Sequence, residues 1–415
     1  MRIAVIGSGI SGLAAAWYLS RKHEVSLFEK DTRLGGHTNT IMVPTESAPI
    51  AIDTGFIVHN DRTYPNFVRL MAELGIETQP SDMSFSVACR RSGLEYSSRG
   101  INGFFAQRSN LFHPRHYQLL AEILRFNRDA PKLLVQPGAS MWTIGELLDD
   151  GHYQDVFTEH YLLPMASAVW SMSLDSIRSF PARTLLQFFD NHGLLGLSSA
   201  PQWKVIQGGS NSYIPRLAAP FKDRIHTHIQ IASVSRCDDG VTLNFADRAA
   251  INFDEVVFAC HGDQVIPLLE SPTDAERKIL GNFKTSRNVA VLHTDSSLLP
   301  RRSSARASWN YNLNLSEEHA VTLTYHMNRL QSIVSPVDYC VTLNSAGTID
   351  ESKRIETIVY HHPLYTLDAI RSQKRWSEIS GKNHTHFCGA YWFYGFHEDG
   401  LNSALRVARA LSVEC

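Results

Sequence analysis

Gly7, Gly9 and Gly12 stand at G-x-G-x-x-G spacing directly after the apolar run Ile3-Ala4-Val5-Ile6. That pattern suits the presentation of backbone N–H groups to a pyrophosphate. Gly7 permits the tight turn, Gly9 lets the backbone approach the phosphates, and Gly12 lets a helix lie close on a strand. Ile10 and Ser11 lead into that helix, expected over residues 13–21, whose N-terminal donors and positive dipole end face the anion. A second strand is expected at residues 24–28. It ends at Glu29, about where a carboxylate accepts ribose hydroxyls, with Lys30 in the same turn. Glycines breaking the apolar stretch argue against a signal peptide. Together these features predict dinucleotide binding.

A second group of candidates could handle protons or shape a pocket. His397 sits beside Glu398 and Asp399 at an expected helix entry, and its imidazole titrates in the useful range. The competing reading makes Asp399 an N-cap and His397 a turn residue. His59 is a weaker second candidate. Trp309-Asn310-Tyr311, Thr324-Tyr325-His326 and the Tyr391-to-Tyr394 stretch could wall an apolar channel, or they could be ordinary core aromatics. From these, Trp309, Tyr311 and Tyr394 join His397 as the catalytic-site candidates. The histidine pairs His226/His228, His361/His362 and His384/His386 lack the accompanying Cys, Asp or Glu spacing of a zinc site, so no metal is expected.

The segments around the glycine turn select the dinucleotide. Arg33-Leu34-Gly35-Gly36-His37-Thr38 places a basic residue and a Gly-Gly pair just after Glu29. This R-x-G-G element resembles the one that wraps the flavin side of the cofactor in glutathione-reductase-like and amine-oxidase-like flavoproteins, where Arg33 would add charge complementarity. Asp53-Thr54-Gly55-Phe56 resembles the next flavin-proximal turn. Residues 387–391, with Gly389, read as a strand entering a turn. Gly395 to Ala404, with Gly400 and Leu401, opens a helix running to Leu411, and its N-terminus would stabilise charge developing at the flavin pyrimidine edge.

With these segments the chain resembles the flavin-containing amine oxidase superfamily over essentially its whole length. Within it, the chain is similar to a bacterial subgroup of predicted NAD/FAD-binding proteins associated with cyclopropane-fatty-acyl-phospholipid synthases. Leu292 to Asp295, Ala307 to Tyr311, Met327 to Gln331, His361-His362-Pro363 and Gly395 to Gly400 carry that likeness. It implies non-covalent FAD, Ile231 against the adenine, and a lipid acyl substrate instead of an amine. Two departures also weigh against amines. Gly389 is followed by Ala390 where amine oxidases have an acid, and Asn288 falls near their flavin-proximal lysine, with Lys284 expected one turn away.

At 415 residues the chain exceeds what one core usually supports, so two domains are expected. The first is an α/β, Rossmann-like FAD-binding domain built from residues 1–75, 205–265 and 384–415. The second is a mixed α+β substrate domain, residues 76–204 and 266–383, giving an amine-oxidase-like whole. Within the latter, residues 80–200 read mostly helical and 283–345 mostly strand. Residues 160–170 read as a buried helix broken by Pro164. A net charge of −2 argues against nucleic acid as partner. Six cysteines without C-x-x-C spacing suggest a reduced, cytoplasmic chain. Residues 99–132 mix Arg99, Arg108, Arg115, Arg125 and Arg128 with Phe104, Phe105, Phe112 and Phe126, which suits either peripheral contact with an anionic membrane or a solvated basic helix face. The expected function is an FAD-dependent oxidoreductase desaturating a modified fatty acyl chain. The alternatives are an amine oxidase or dehydrogenase, or a non-catalytic flavin-binding partner of an acyl-modifying enzyme.

Overall fold

A computed structural model describes all residues except 136–141, 171, 173, 192, 196–200, 314–320, 346 and 415. Cys415 therefore lies outside the described residues. Arg2–Ile6 forms the central strand of a five-stranded sheet in the order Ile225–His226, Glu24–Phe28, Arg2–Ile6, Glu255–Phe258, Thr385–Phe387. Every pairing in it is parallel. Its inner strands Arg2–Ile6 and Glu255–Phe258 are apolar after their first residue because both faces are covered. Ile3, Val5, Val25, Leu27 and Val257 face one core, shared with the helices Ile10–Leu19 and His397–Ala410. Their neighbours Ala4, Ile6, Phe28, Val256 and Phe258 face another, covered by the antiparallel strands Ile231–Cys237, Gly240–Phe245 and Ile251–Phe253.

The first helix begins at Ile10, not at residue 13, so Gly12 lies inside its first turn. There a Cβ would lie 1.9 Å from the Gly7 carbonyl oxygen, and only glycine lets the helix begin so close to the strand. The last helix runs His397–Ala410, and the strand before it is only Thr385–Phe387, since the chain turns at Gly389.

A seven-stranded sheet makes the second body, in the order Arg354–Leu364, Lys284–His293, Cys340–Leu343, Val321–His326, Trp309–Leu313, Phe85–Cys89, Glu95–Ser97. The last two strands fall in a stretch expected to be mostly helical. Helices from Gly100–Phe104 to Ala182–Asn191 follow them. Pro164 does not break its segment. It lies where a π-helical turn, Thr158–Leu162, passes directly into the helix Leu163–Trp170, and the carbonyl of His160, four residues earlier, accepts from Tyr96 OH at 2.6 Å in place of the N–H that proline lacks.

Side chains from both sides of the expected boundary at 265/266, and from just before the one at 383/384, share one core. Val265, Leu269, Ile279, Leu280, Phe283, Ala369 and Ile379 pack into the core beneath the parallel sheet. Helices following a sheet strand bury their apolar faces on that sheet wherever the composition changes.

Candidate functional site

The glycine turn is open on one side and closed on the others. A Cβ on Gly9 would meet nothing within 4 Å, whereas one on Gly36 would lie 3.1 Å from the Gly9 Cα and one on Gly35 2.6 Å from the Ile214 Cδ1. Gly35 and Gly36 adopt φ +110° and +56°, values that glycine tolerates, so the R-x-G-G loop can fold over the turn. No side chain caps the helix Ile10–Leu19, and its first N–H groups stay available to an anion. The start of the last helix rests on the same spot, with a Gly400 Cβ position 2.7 Å from Ile10 Cγ2 and 2.9 Å from Ser11 Oγ. Leu401 is fully buried beside it. Two positive helix ends thus converge on one open cradle.

Glu29 is held ready. Its carboxylate accepts from Ser8 N (2.8 Å), Ser8 Oγ (2.6 Å) and Asp31 N (2.9 Å). A carboxylate offers about four acceptor positions, so room remains for a hydroxyl. Ile231 lies with Phe28 in the cluster at this end of the strand, and Lys30 is exposed. Arg33 also shapes its own loop: its guanidinium donates to the carbonyls of Gly36 (2.7 Å) and Thr38 (3.2 Å).

Above the turn gathers a cluster that spacing did not reveal. His37 stacks on Tyr360 (4.9 Å between centroids), and His362 and His261 lie 5.2 and 6.1 Å away. Desolvation, reinforced by neighbouring imidazoles, holds His37 well below 6.5 and His362 at about 4. Gly9, Gly36, His37, Cys260, His261 and His362 nonetheless keep partial solvent contact. Gly55 packs on the His37 carbonyl, which accepts from Phe56 N at 2.8 Å. Asp53 ties three distant segments together. It accepts from Thr40 Oγ1 (2.6 Å), Ser210 N (2.8 Å) and Gln331 Nε2 (3.2 Å), and burial raises its pKa to about 6.

His397 stacks flat on Phe56, with centroids 3.6 Å apart and planes 5° apart, and its Nε2 meets Tyr213 OH (2.8 Å) and Thr38 Oγ1 (3.2 Å). Burial lowers its pKa to about 3, which favours the neutral ring near pH 7. Its neighbours serve as caps. Glu398 accepts from Asn66 N (3.0 Å) and Phe67 N (2.8 Å) at the start of the helix Pro65–Glu73, and Asp399 accepts from Phe396 N (2.9 Å). Tyr394 shares a cavity of about 50 Å³ with Tyr64, Glu398 and Asp399. His59 is buried, and desolvation lowers it to about 4.

The seven-stranded sheet presents two unlike faces. Trp309 opposes Tyr325, Tyr311 opposes Leu323, and both pairs continue onto Phe85 and Val87. This face belongs to the large apolar core under the helices. On the reverse face, Ser86, Asn310, Thr324, Thr342 and His293 satisfy one another by hydrogen bonds. Toward the glycine loops the apolar face turns polar at Asn288, paired with Tyr360, and at Ser286, paired with His362. Lys284 is exposed on the same strand as Asn288. Four strand residues separate them by about 13 Å, not one helical turn. Among the described residues no three His, Cys, Asp or Glu side chains converge as a metal site requires.

The chain is similar over a short stretch to a 4,4'-diapophytoene desaturase of Staphylococcus aureus (strain bovine RF122 / ET3-1), 55% identical over 42 residues, which is 10% of this chain and 8% of that protein. The solved cyclohexylamine oxidase from Brevibacterium oxydans IH-35A matches with TM-score 0.70 and 15% identity, covering 99% of this chain and 98% of that one. The CLA-producing fatty acid isomerase from P. acnes matches with TM-score 0.70 and 16% identity, covering 98% of each chain. At these identities the solved structures share the fold. The flavin containing amine oxidoreductase model matches residues 10–329. Gly9's open cradle, the uncapped helix end and Glu29 fit FAD, and the chain belongs to this family of FAD-dependent oxidoreductases.

Proposed function

We propose that this oxidoreductase removes two hydrogens from adjacent carbons of a lipid acyl chain, leaving a double bond. One observation carries this reading: the inner sheet face is apolar or aromatic, with Tyr96, Tyr311, Leu323 and Leu343 buried and Phe85, Trp309 and Tyr325 partly buried on it. Such a wall gains from burying methylenes, at roughly 0.8 kcal/mol each, and gives nothing to an ammonium group. The nearby carboxylates Glu398 and Asp399 are engaged with backbone N–H groups, which speaks against their receiving a substrate amine. A fatty acid isomerase of the same fold and a desaturase similar over 42 residues agree with a lipid substrate.

When bound, FAD supplies a hydride-accepting ring position. Gly9 and the first turn of the helix Ile10–Leu19 would hold the pyrophosphate, Glu29 the ribose and Ile231 the adenine. The Gly36–Thr38 loop, Gly55, Phe56 and Gly389 would border the ring system. Trp309, Tyr311 and Tyr394 would wall the chain's path and exclude water. His397 would position the ring by fixing Thr38, Tyr213 and Phe56, without exchanging a proton itself. In this reading residues 1–75, 205–265 and 384–415 supply the cofactor site and the seven-stranded sheet the substrate wall.

Anaerobic mixing of the yellow holoprotein with phospholipids extracted from cells with and without a cyclopropane synthase tests the proposal. Bleaching by lipid, with new unsaturation in the mass spectrum, is the expected result. Bleaching by amines alone would replace it with amine oxidation. Silence with both would leave a flavin-binding partner of an acyl-modifying enzyme.

A further inference from the structure

Residues 96–121 contain Arg99, Arg108 and Arg115 and no aspartate or glutamate. The same stretch carries an unusual share of exposed apolar surface. Ile101 is 82% exposed, Phe112 86%, Tyr117 47% and Leu111 44%. Large apolar side chains left this open are normally scattered singly, and a cluster rimmed by charge marks a contact surface.

The cluster is held in shape. The helix Gly100–Phe104, the turn Arg108–Phe112 and the start of the helix Pro114–Val135 are cross-tied. Arg108 donates to Phe105 O (3.0 Å) and to Asn102 Oδ1 (2.5 Å), Tyr117 OH donates to Leu111 O (3.0 Å), and His116 Nε2 meets Phe104 O (2.8 Å). His116, Phe104 and Phe105 pack ring on ring beneath, while Ile101, Leu111 and Phe112 remain outside. Two of the three arginines carry no ion pair among the described residues: Arg108 bonds only neutral groups, and Arg115 has none. Arg99 reaches Asp82 at 3.8 Å.

We propose that residues 99–117 form a docking surface for an anionic lipid bilayer. Ile101, Leu111 and Phe112 would enter the headgroup region, and Arg108 and Arg115 would face lipid phosphates. The absence of acids across the segment supplies the charge complementarity that selects a bilayer over a neutral protein surface. The proposal does not depend on which molecule the flavin oxidises. Acyl-chain oxidation can be assayed on lipid dispersed in detergent, so either idea can fail alone.

The test is co-sedimentation of the FAD-loaded protein with vesicles of phosphatidylcholine alone and of phosphatidylcholine containing phosphatidylglycerol, at low and high salt. Binding is expected on the anionic vesicles and is weakened by salt. The double variant Ile101→Ser/Phe112→Ser should lose roughly tenfold or more, on the scale of one large side chain's burial. Arg115→Glu, at an exposed position that the fold does not use, should lose at least about fivefold. Both variants should keep their flavin and elution volume. No sedimentation on anionic vesicles at low salt, or variants that bind like the parent, would overturn the proposal. A concentration-dependent dimer abolished by Phe112→Ser, without vesicle binding, would overturn it and assign the surface to a second copy of the chain.

Discussion

At the scale of single residues, glycines of one motif carry opposite burdens. Gly12 faces the Gly7 carbonyl at 1.9 Å from its would-be Cβ, while Gly9 faces open space. Gly12→Ala should therefore destabilise the protein by about 1–3 kcal/mol through overpacking, read as a lower denaturation midpoint. Gly9→Ala should leave flavin-free protein as stable as before and weaken FAD binding by roughly tenfold or more, read by flavin fluorescence on titration. Equal stability losses in both would show that Gly9's open side is not the cofactor's. For His397, burial and the contact with Phe56 favour the neutral ring. His397→Gln should slow flavin reduction without changing the shape of its pH profile between about pH 5 and 8. A profile limb that disappears in the variant would return His397 to proton transfer.

At the scale of elements, the last helix fastens another helix through its own first turn. Glu398 accepts the Asn66 and Phe67 N–H groups at the start of Pro65–Glu73 and the Asn66 side chain at 2.9 Å. Phe67 in turn lies against Phe56 and His397. Glu398→Ala should cost about 0.5–2 kcal/mol, the range of a lost cap, measured by thermal denaturation. Because the cap supports the residues under His397, flavin retention should fall with it. Unchanged melting and flavin content would show that the cap carries no weight. Asp53 joins elements in the same way. Its partners Thr40, Ser210 and Gln331 come from three stretches of chain, and no local pattern would have paired them.

For the molecule as a whole, buried histidines set the response to acid. Desolvation holds His59, His293 and His362 near 4 and His397 near 3, against 6.5 in an open chain. His293 shows why: its Nδ1 accepts from Asp295 N at 3.0 Å while its other nitrogen meets Thr342 Oγ1 at 2.6 Å, a pattern only the neutral ring can make. Below about pH 6.5 the unfolded chain takes up protons that the folded chain refuses, so stability falls on acidification by roughly 1.4 kcal/mol per pH unit for each such group. Asp53 and Asp399, raised by burial to about 6 and about 7, act in the opposite sense. Folding favours their acid forms, and that contribution is lost as pH rises through those values. The four histidines outnumber the two aspartates. The melting temperature of flavin-free protein should therefore drop steadily from about pH 6.5 toward 4, and His293→Gln should flatten the slope. A slope unchanged by that substitution would count against the assignment.

Local pattern by itself determined the nucleotide half of the protein. The G-x-G-x-x-G turn, its two parallel strands, Glu29 and the R-x-G-G loop can be read because each is a short-range demand, with glycine placed where backbone must meet backbone. The strand at residues 24–28 was expected with the bounds it has. Tertiary structure decided what depends on contacts between distant segments. His37, His261 and His362 meet over the turn although more than two hundred residues separate His37 from either of the others, and no periodicity encodes that approach. Burial likewise set the environment of His397, stacked on Phe56 with its pKa lowered by desolvation, since the pKa depends on surrounding packing and not on adjacent acids. That Arg33 braces its own loop through the Gly36 and Thr38 carbonyls also appears only in the folded chain. Composition shows which side chains can ionise or stack, but only the folded chain determines which are desolvated, which are already bonded, and which still meet solvent.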